Sequence, residues 1–247
     1  LLGALAHVAI AKGGCNPFVD ERIAIPEFEG VDVHKFMNVV GALHGFNRPI
    51  PSLSRALVHF PNDVRGLFAE IVFLTELIDR QMSSSDAVEA WLGPERSHQD
   101  FIFGNTAVEV KSLSGAERSS IRISSEDQLE SLNDALFLRV YRLSSLADAA
   151  GARSLNEIVA AVQARLGEAD AVEAFDRKLV AHGYAPLPDY DEPRFVVSDV
   201  RSYRVGDGFP RLMRSQLPPG IANVAYDIRL ATIAPYECDE AAIFGED

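Results

Sequence analysis

Between Arg65 and Arg80 (RGLFAEIVFLTELIDR) apolar residues recur at helical spacing. At about 100° per residue, Leu67, Ile71, Leu74 and Ile78 fall on one stripe, which Phe73 and Leu77 widen. With Pro61-Asn62-Asp63 ahead of it and no internal proline, the run predicts a helix with one buried face. A short helix over Asp86 to Leu92 follows, stopped by Gly93-Pro94, with Trp91 packing in the core. The period then changes from helical to alternating. Asp100 to Lys111 (DFIFGNTAVEVK) reads as two strands of a hairpin about Gly104-Asn105, and Ser119 to Ser124 (SSIRIS) as a third strand. Ser125-Glu126-Asp127-Gln128 has the Ser-x-x-Gln form of a capping box and predicts a short helix through Leu132. Ala135 to Leu143 (ALFLRVYRL) is an apolar strand. The order is helix, strand, strand, strand, helix, strand.

The flanks are read more coarsely. Residues 1–62 mix short apolar runs with Gly and Pro and predict a mixed α/β flank. Ser154 to Leu166 is a helix capped by Ser154 and Glu157 and stopped by Gly167, and Asp170 to His182 is a second one stopped by Gly183. Tyr184 to Pro193 is a Pro-rich connector, and strands are expected over Phe195 to Val205 and Asn223 to Ile233. The division expected is 1–62 as the N-terminal flank, 63–145 as the core, and 146–247 as a helical hairpin plus strands packed on it. That last part is open to extending the core sheet, gripping nucleic acid or forming a homodimer interface.

Position within these elements gives three acids and a lysine a common location. In a strand residues i and i+2 leave the same face, so Glu109 and Lys111 project together while Val108 and Val110 point the other way. The hairpin brings Asp100 toward them. Two hard oxygen ligands suit Mg²⁺ or Mn²⁺, and a neighbouring lysine can orient or deprotonate a water for attack on a phosphodiester. The same residues also describe an exposed strand face with an ion pair, and spacing alone does not separate the two. The other acidic-x-Lys triplet, Asp176-Arg177-Lys178, lies in a helical run, where i and i+2 diverge by about 200°. Glu70 falls inside the apolar arc of the Arg65 to Arg80 helix and should face the interior. A lone buried carboxylate costs several kcal/mol unless it is neutralised, paired or bound to metal.

Charge and composition narrow the setting. The net charge is −13, with part of the acidity in Glu237 to Asp247, which argues against a protein that coats nucleic acid nonspecifically. Arginines outnumber lysines 19 to 4, and Arg194 to Arg214 holds five arginines against two aspartates. That stretch is either a DNA-facing surface or a set of scattered solvent-facing arginines. The two cysteines, Cys15 and Cys238, make neither zinc spacing nor a disulfide framework and fit a reducing cytoplasm. Leu1 to Ala11 is too short to span a bilayer, so no membrane segment is expected.

Four segments together, Arg65-Gly-Leu-Phe-Ala-Glu70, Ala90-Trp-Leu-Gly-Pro94, His98-Gln-Asp-Phe101 and Val108-Glu-Val-Lys-Ser112, resemble the PD-(D/E)XK nuclease superfamily and its prokaryotic members in particular. The resemblance covers about 80 residues, from Arg65 to Leu143, and implies an α/β restriction-endonuclease-like fold, a mixed central sheet flanked by helices. It implies that Asp100, Glu109 and the carbonyl of Val110 hold Mg²⁺ or its substitute Mn²⁺, that Lys111 is the catalytic lysine, and that Glu70 is the helical acid many members add. It places Gln128 near the metal or the DNA backbone, although a capping box explains Gln128 without chemistry. Gln99 stands where the motif has proline. His98 has a phosphate-contacting and a solvent-facing reading, and Ser112 is a weaker donor candidate. The implied function is a metal-dependent DNA endonuclease of restriction or phage defence, with DNA and other defence subunits as partners. A DNA-binding or scaffold subunit that cuts nothing alone, and a repair or recombination nuclease, are the alternatives.

Overall fold

In a computed structural model, the structure describes residues 61–245 apart from 96, 116–118 and 147–148; the expected N-terminal flank lies outside these except for its last two residues. Helix α1 runs Pro61–Asp79, opening on a proline whose missing N–H costs a first helical turn nothing. Its predicted stripe is buried apart from the half-buried Ile78: Leu67, Ile71, Phe73, Leu74 and Leu77 are all within 2% of full enclosure. Helix α2 (Ser84–Ala90) is capped by the Ser83 side chain and ends at the fully buried Trp91.

The hairpin forms at the expected place. β1 (Phe101–Phe103) and β2 (Thr106–Ser114) pair antiparallel about Gly104, whose φ of 52° is the left-handed value such a turn requires. β2 then pairs in parallel with β4 (Ala135–Ser145), which pairs antiparallel with β5 (Phe195–Arg204) and through it with the short β7 (Glu237–Cys238). The result is a mixed sheet in the order β1-β2-β4-β5-β7, the α/β architecture expected of a restriction-endonuclease-like fold. β4 is central, with Leu136 to Tyr141 buried without a break, as a strand covered on both faces must be.

One face, carrying Val108, Val110, Phe137 and Tyr141, packs on α1, α2 and the helical pair α3 (Leu155–Leu166) and α4 (Ala169–His182). Ring contacts tie these layers: Phe73 meets Phe101 edge-on at 4.8 Å and Phe68 meets Phe195 at 5.2 Å. The capping box at α3 is complete, with the Ser154 hydroxyl and the Glu157 carboxylate each bound to the other's backbone N–H. The opposite face, carrying Ala107, Leu113, Leu138 and Val140, is covered by a two-stranded sheet of β3 (Ser120–Ile123) and β6 (Tyr226–Arg229). The C-terminal third thus supplies two strands of the central sheet, β5 and β7, and half of the layer over its second face. No helix among the described residues is long and apolar enough to cross a membrane.

Two expectations are corrected. Ser125 to Leu132 is not helical. It forms successive turns closed by Gln128 N–H to Ser125 O (3.2 Å) and Glu130 N–H to Asp127 O (3.2 Å). Leu129 is its only buried apolar residue while Leu132 is fully exposed, so the segment lacks the apolar stripe a helix would need, and the Ser125 hydroxyl takes the Asp127 N–H in a local turn. The strand over Asn223 to Ile233 is confined to Tyr226–Arg229 and followed by a one-turn helix, α5 (Leu230–Ile233). Asn223 has a φ of 58°, and its N–H and that of Val224 are taken by Glu126, which removes them from any ladder. The arginines of Arg194 to Arg214 make contacts within the chain while several keep their side chains in solvent, Arg201 at 46% and Arg214 at 60% exposure, as the solvent-facing reading expects. Arg194 pairs with Glu157, Arg201 with Asp199 and Arg214 with Asp127, Arg204 lies over the Phe137 ring, and Arg211 donates to the Leu129 carbonyl.

Candidate active site

The register that pairs Phe101 with Val108 sets Asp100 across from Glu109, at the end of the hairpin nearest α1. Asp100 is held there by its own chain: Oδ2 accepts the Val110 N–H at 2.8 Å. Glu109 is fully enclosed on the face opposite Val108 and Val110, and Lys111 shares that face with its ammonium 2.6 Å from Glu109 Oε1. Even so, neither Glu109 oxygen has a hydrogen-bond donor in good alignment. A carboxylate buried in this way is costly, and a hard cation is the group its orphaned oxygens fit best. Among the described residues no three His, Cys, Asp or Glu side chains form a ready cage. The arrangement is two cross-strand acids, one of them bound to the Val110 N–H, a sparse donor set that would leave positions for water and substrate on any cation held there.

Electrostatics report the same crowding. Burial pushes the Glu109 carboxyl up to about 7, with the Lys111 ammonium opposing and the Glu70 charge adding to it. Asp100 is raised well above the usual carboxylate range by lost hydration and then by the charges of Glu109 and Glu70. For Lys111 burial works to lower the pKa, but the charges of Glu109 and Asp100 outweigh it and the net direction is upward. The acids around it thus hold the Lys111 side chain in its charged ammonium form in the metal-free protein.

Glu70 is 9% exposed and enters the same cleft from α1. Its Oε2 accepts the Trp91 indole N–H at 2.8 Å and its Oε1 lies 3.6 Å from His182 Nε2. A Cβ on Gly93 would stand 2.6 Å from Glu70 Oε2 and 3.2 Å from Asp100 Oδ1, so both acids converge on a spot that only glycine leaves open. Gln128 does not close a capping box. Its Oε1 accepts from the Lys111 ammonium at 3.1 Å and from the Ser124 N–H at 2.8 Å, so it reaches the site through the lysine. His98 is exposed, with Nδ1 3.8 Å from Asp127, which fits its solvent-facing reading. Ser112 lines the cleft.

The cleft itself has a volume of about 500 Å³. Its acidic floor is Glu70 and Asp100; Arg65, Lys111 and Arg122 bring positive charge, and hydroxyls of Ser112, Ser114, Ser120 and Ser124 line the walls. Cations and hydroxyls over a carboxylate floor suit a phosphodiester held above a metal. Two contributors escaped the sequence reading. His182 arrives from the end of α4, far along the chain, and stacks on Trp91 at 6.4 Å. Trp91 was expected only in the core; a buried indole N–H needs an acceptor, and that was the available signal.

The family model described as Putative PD-(D/E)XK family member (DUF4420) matches residues 58–231. No curated protein and no solved structure matches the chain at significance. Since the matched span takes in the whole cleft and both faces of the central sheet, the chain belongs to this PD-(D/E)XK family, whose name points to nuclease chemistry.

Proposed function

We propose that the protein is a metal-dependent DNA endonuclease that hydrolyses phosphodiester bonds, in the setting of prokaryotic restriction or phage defence. The observation that carries the reading is the fully buried Glu109 carboxylate, neither oxygen of which has a well-aligned hydrogen-bond donor, with the Lys111 ammonium 2.6 Å away, behind a cleft that Asp100, Glu70 and Lys111 line. Asp100, Glu109 and the Val110 carbonyl would hold Mg²⁺ or Mn²⁺, and the chemistry such an ion supplies is polarisation of the scissile phosphate and acidification of water. Lys111 directs its N–H donors at the attacking water and the phosphate oxygen, and Glu109 and Gln128 fix the ammonium from two sides. Glu70 adds a third negative charge, kept in place by Trp91. Arg65 and Arg122 are placed to contact the flanking phosphates. The defence setting rests on the family resemblance alone.

The test is cleavage of plasmid, linear and single-stranded DNA by the purified protein in Mg²⁺ or Mn²⁺, with EDTA as control. Lys111→Ala should lower the rate by about 10² or more with little change in thermal stability, as for loss of a positioned transition-state donor. Equal rates for the two proteins would place the activity elsewhere. An inactive wild type, with and without its genomic-neighbour proteins, would favour the non-cutting scaffold subunit.

A further inference from the structure

The residue that departs from the family motif, Gln99, is buried to 4% exposure and is not a passive replacement for proline. Its side-chain Nε2 faces three backbone carbonyls of the following turns: Asp127 O at 3.0 Å, Glu130 O at 2.9 Å and Gln128 O at 3.4 Å. Three inward carbonyls call for a donor, and a carboxamide NH₂ with two hydrogens can serve two and share with the third. A proline here would supply none. The turn so gripped is the one that carries Gln128, whose Oε1 holds the Lys111 ammonium at 3.1 Å. The turn is braced from outside as well, by the forked pair of Arg214 on Asp127 (2.8 and 2.7 Å) and by Ser215 and the Arg214 N–H on Glu130 (2.9 Å each). Gln99 is the clamp on the inner side, next in sequence to Asp100.

We propose that Gln99 is a positioning residue for Lys111, acting through the 127–130 turn and Gln128, so that one dipeptide, Gln99-Asp100, sets both a metal-binding acid and the lysine. This rests on reading Lys111 as the water-orienting group. Lys111 has two anchors, Glu109 and Gln128, and once a cation draws charge from Glu109 the neutral one must carry more of the hold.

The experiment uses Gln99→Met, which keeps length and apolar bulk but donates nothing, Gln128→Leu, which removes the last link together with the acceptor for the Ser124 N–H, and their combination. In DNA cleavage each single variant should lose about 10-fold or more in kcat with KM within about two-fold, as a misplaced group does. The double variant should be no slower than Gln128→Leu, because the two residues act in series. A second readout needs no activity: reductive methylation followed by mass spectrometry compares Lys111 with Lys178 as internal control. Lys111 should be labelled several-fold faster in both single variants and Lys178 equally in all. A Gln99→Met protein that folds yet labels and cleaves as wild type overturns the proposal, as does an effect that multiplies with that of Gln128→Leu. If the wild type cuts nothing, the labelling still decides for or against the clamp, and only the nuclease reading falls.

Discussion

Glu109 shows most directly how a single residue couples fold to chemistry. Its carboxyl is raised to about 7 from 4.5 by burial, so without metal the folded state binds a proton that the unfolded chain has already lost. A group raised in the folded state stabilises fully below its unfolded pKa, and that contribution is lost as pH rises through the folded one. Asp100 adds in the same direction. The melting temperature of the metal-free protein should therefore fall between pH 5.5 and 8, and Glu109→Gln should flatten the fall; a variant with the wild-type slope would show that Glu109 is not the group responsible. At this scale the site was partly legible. Strand alternation placed Glu109 and Lys111, and the helical arc placed Glu70 inside. Gln99 could not be read, because its role depends on carbonyls about thirty positions away, and His182 could not, because nothing local links the end of α4 to Trp91.

Elements were legible where periodicity and stop signals agreed. The α1 stripe, the Gly104-Asn105 hairpin and the box and glycine stops of α3 and α4 were set by local chemistry that the tertiary structure left intact. The misread segments are those whose backbone groups are claimed by distant side chains. Gln99 takes the carbonyls of the 127–130 turns and Glu126 takes the N–H groups of Asn223 and Val224, so a capping signature and an apolar alternation were both overridden. The α3 cap gives a clean control for function, since it lies in the helical layer away from the acids. Ser154→Ala should cost about 1 kcal/mol, read as a drop of a few degrees in melting temperature, with cleavage unchanged. A loss of activity at unchanged stability would mean that the helical pair does more than cover the sheet.

At the scale of the molecule, a chain of net charge −13 would, on the proposed function, have to bring a polyanion to a floor that is itself acidic. In the described residues Glu70 and Asp100 sit together at the floor with Arg65, Lys111 and Arg122 around them, Lys111 paired with Glu109 and Arg122 with Asp227, while Arg194, Arg201 and Arg214 pair with acids elsewhere. Such a cleft has a deficit of positive charge at its centre that a divalent cation would fill, and long-range repulsion that salt would weaken. The most direct test of this account is a calorimetric titration of the purified protein with Mn²⁺ at pH 7.5, beside Asp100→Asn and Glu109→Gln. The wild type should bind Mn²⁺ with release of protons, and both variants should lose that binding while remaining folded. Undiminished binding in both variants, or none in the wild type in the presence or absence of DNA, would contradict a metal site at Asp100 and Glu109.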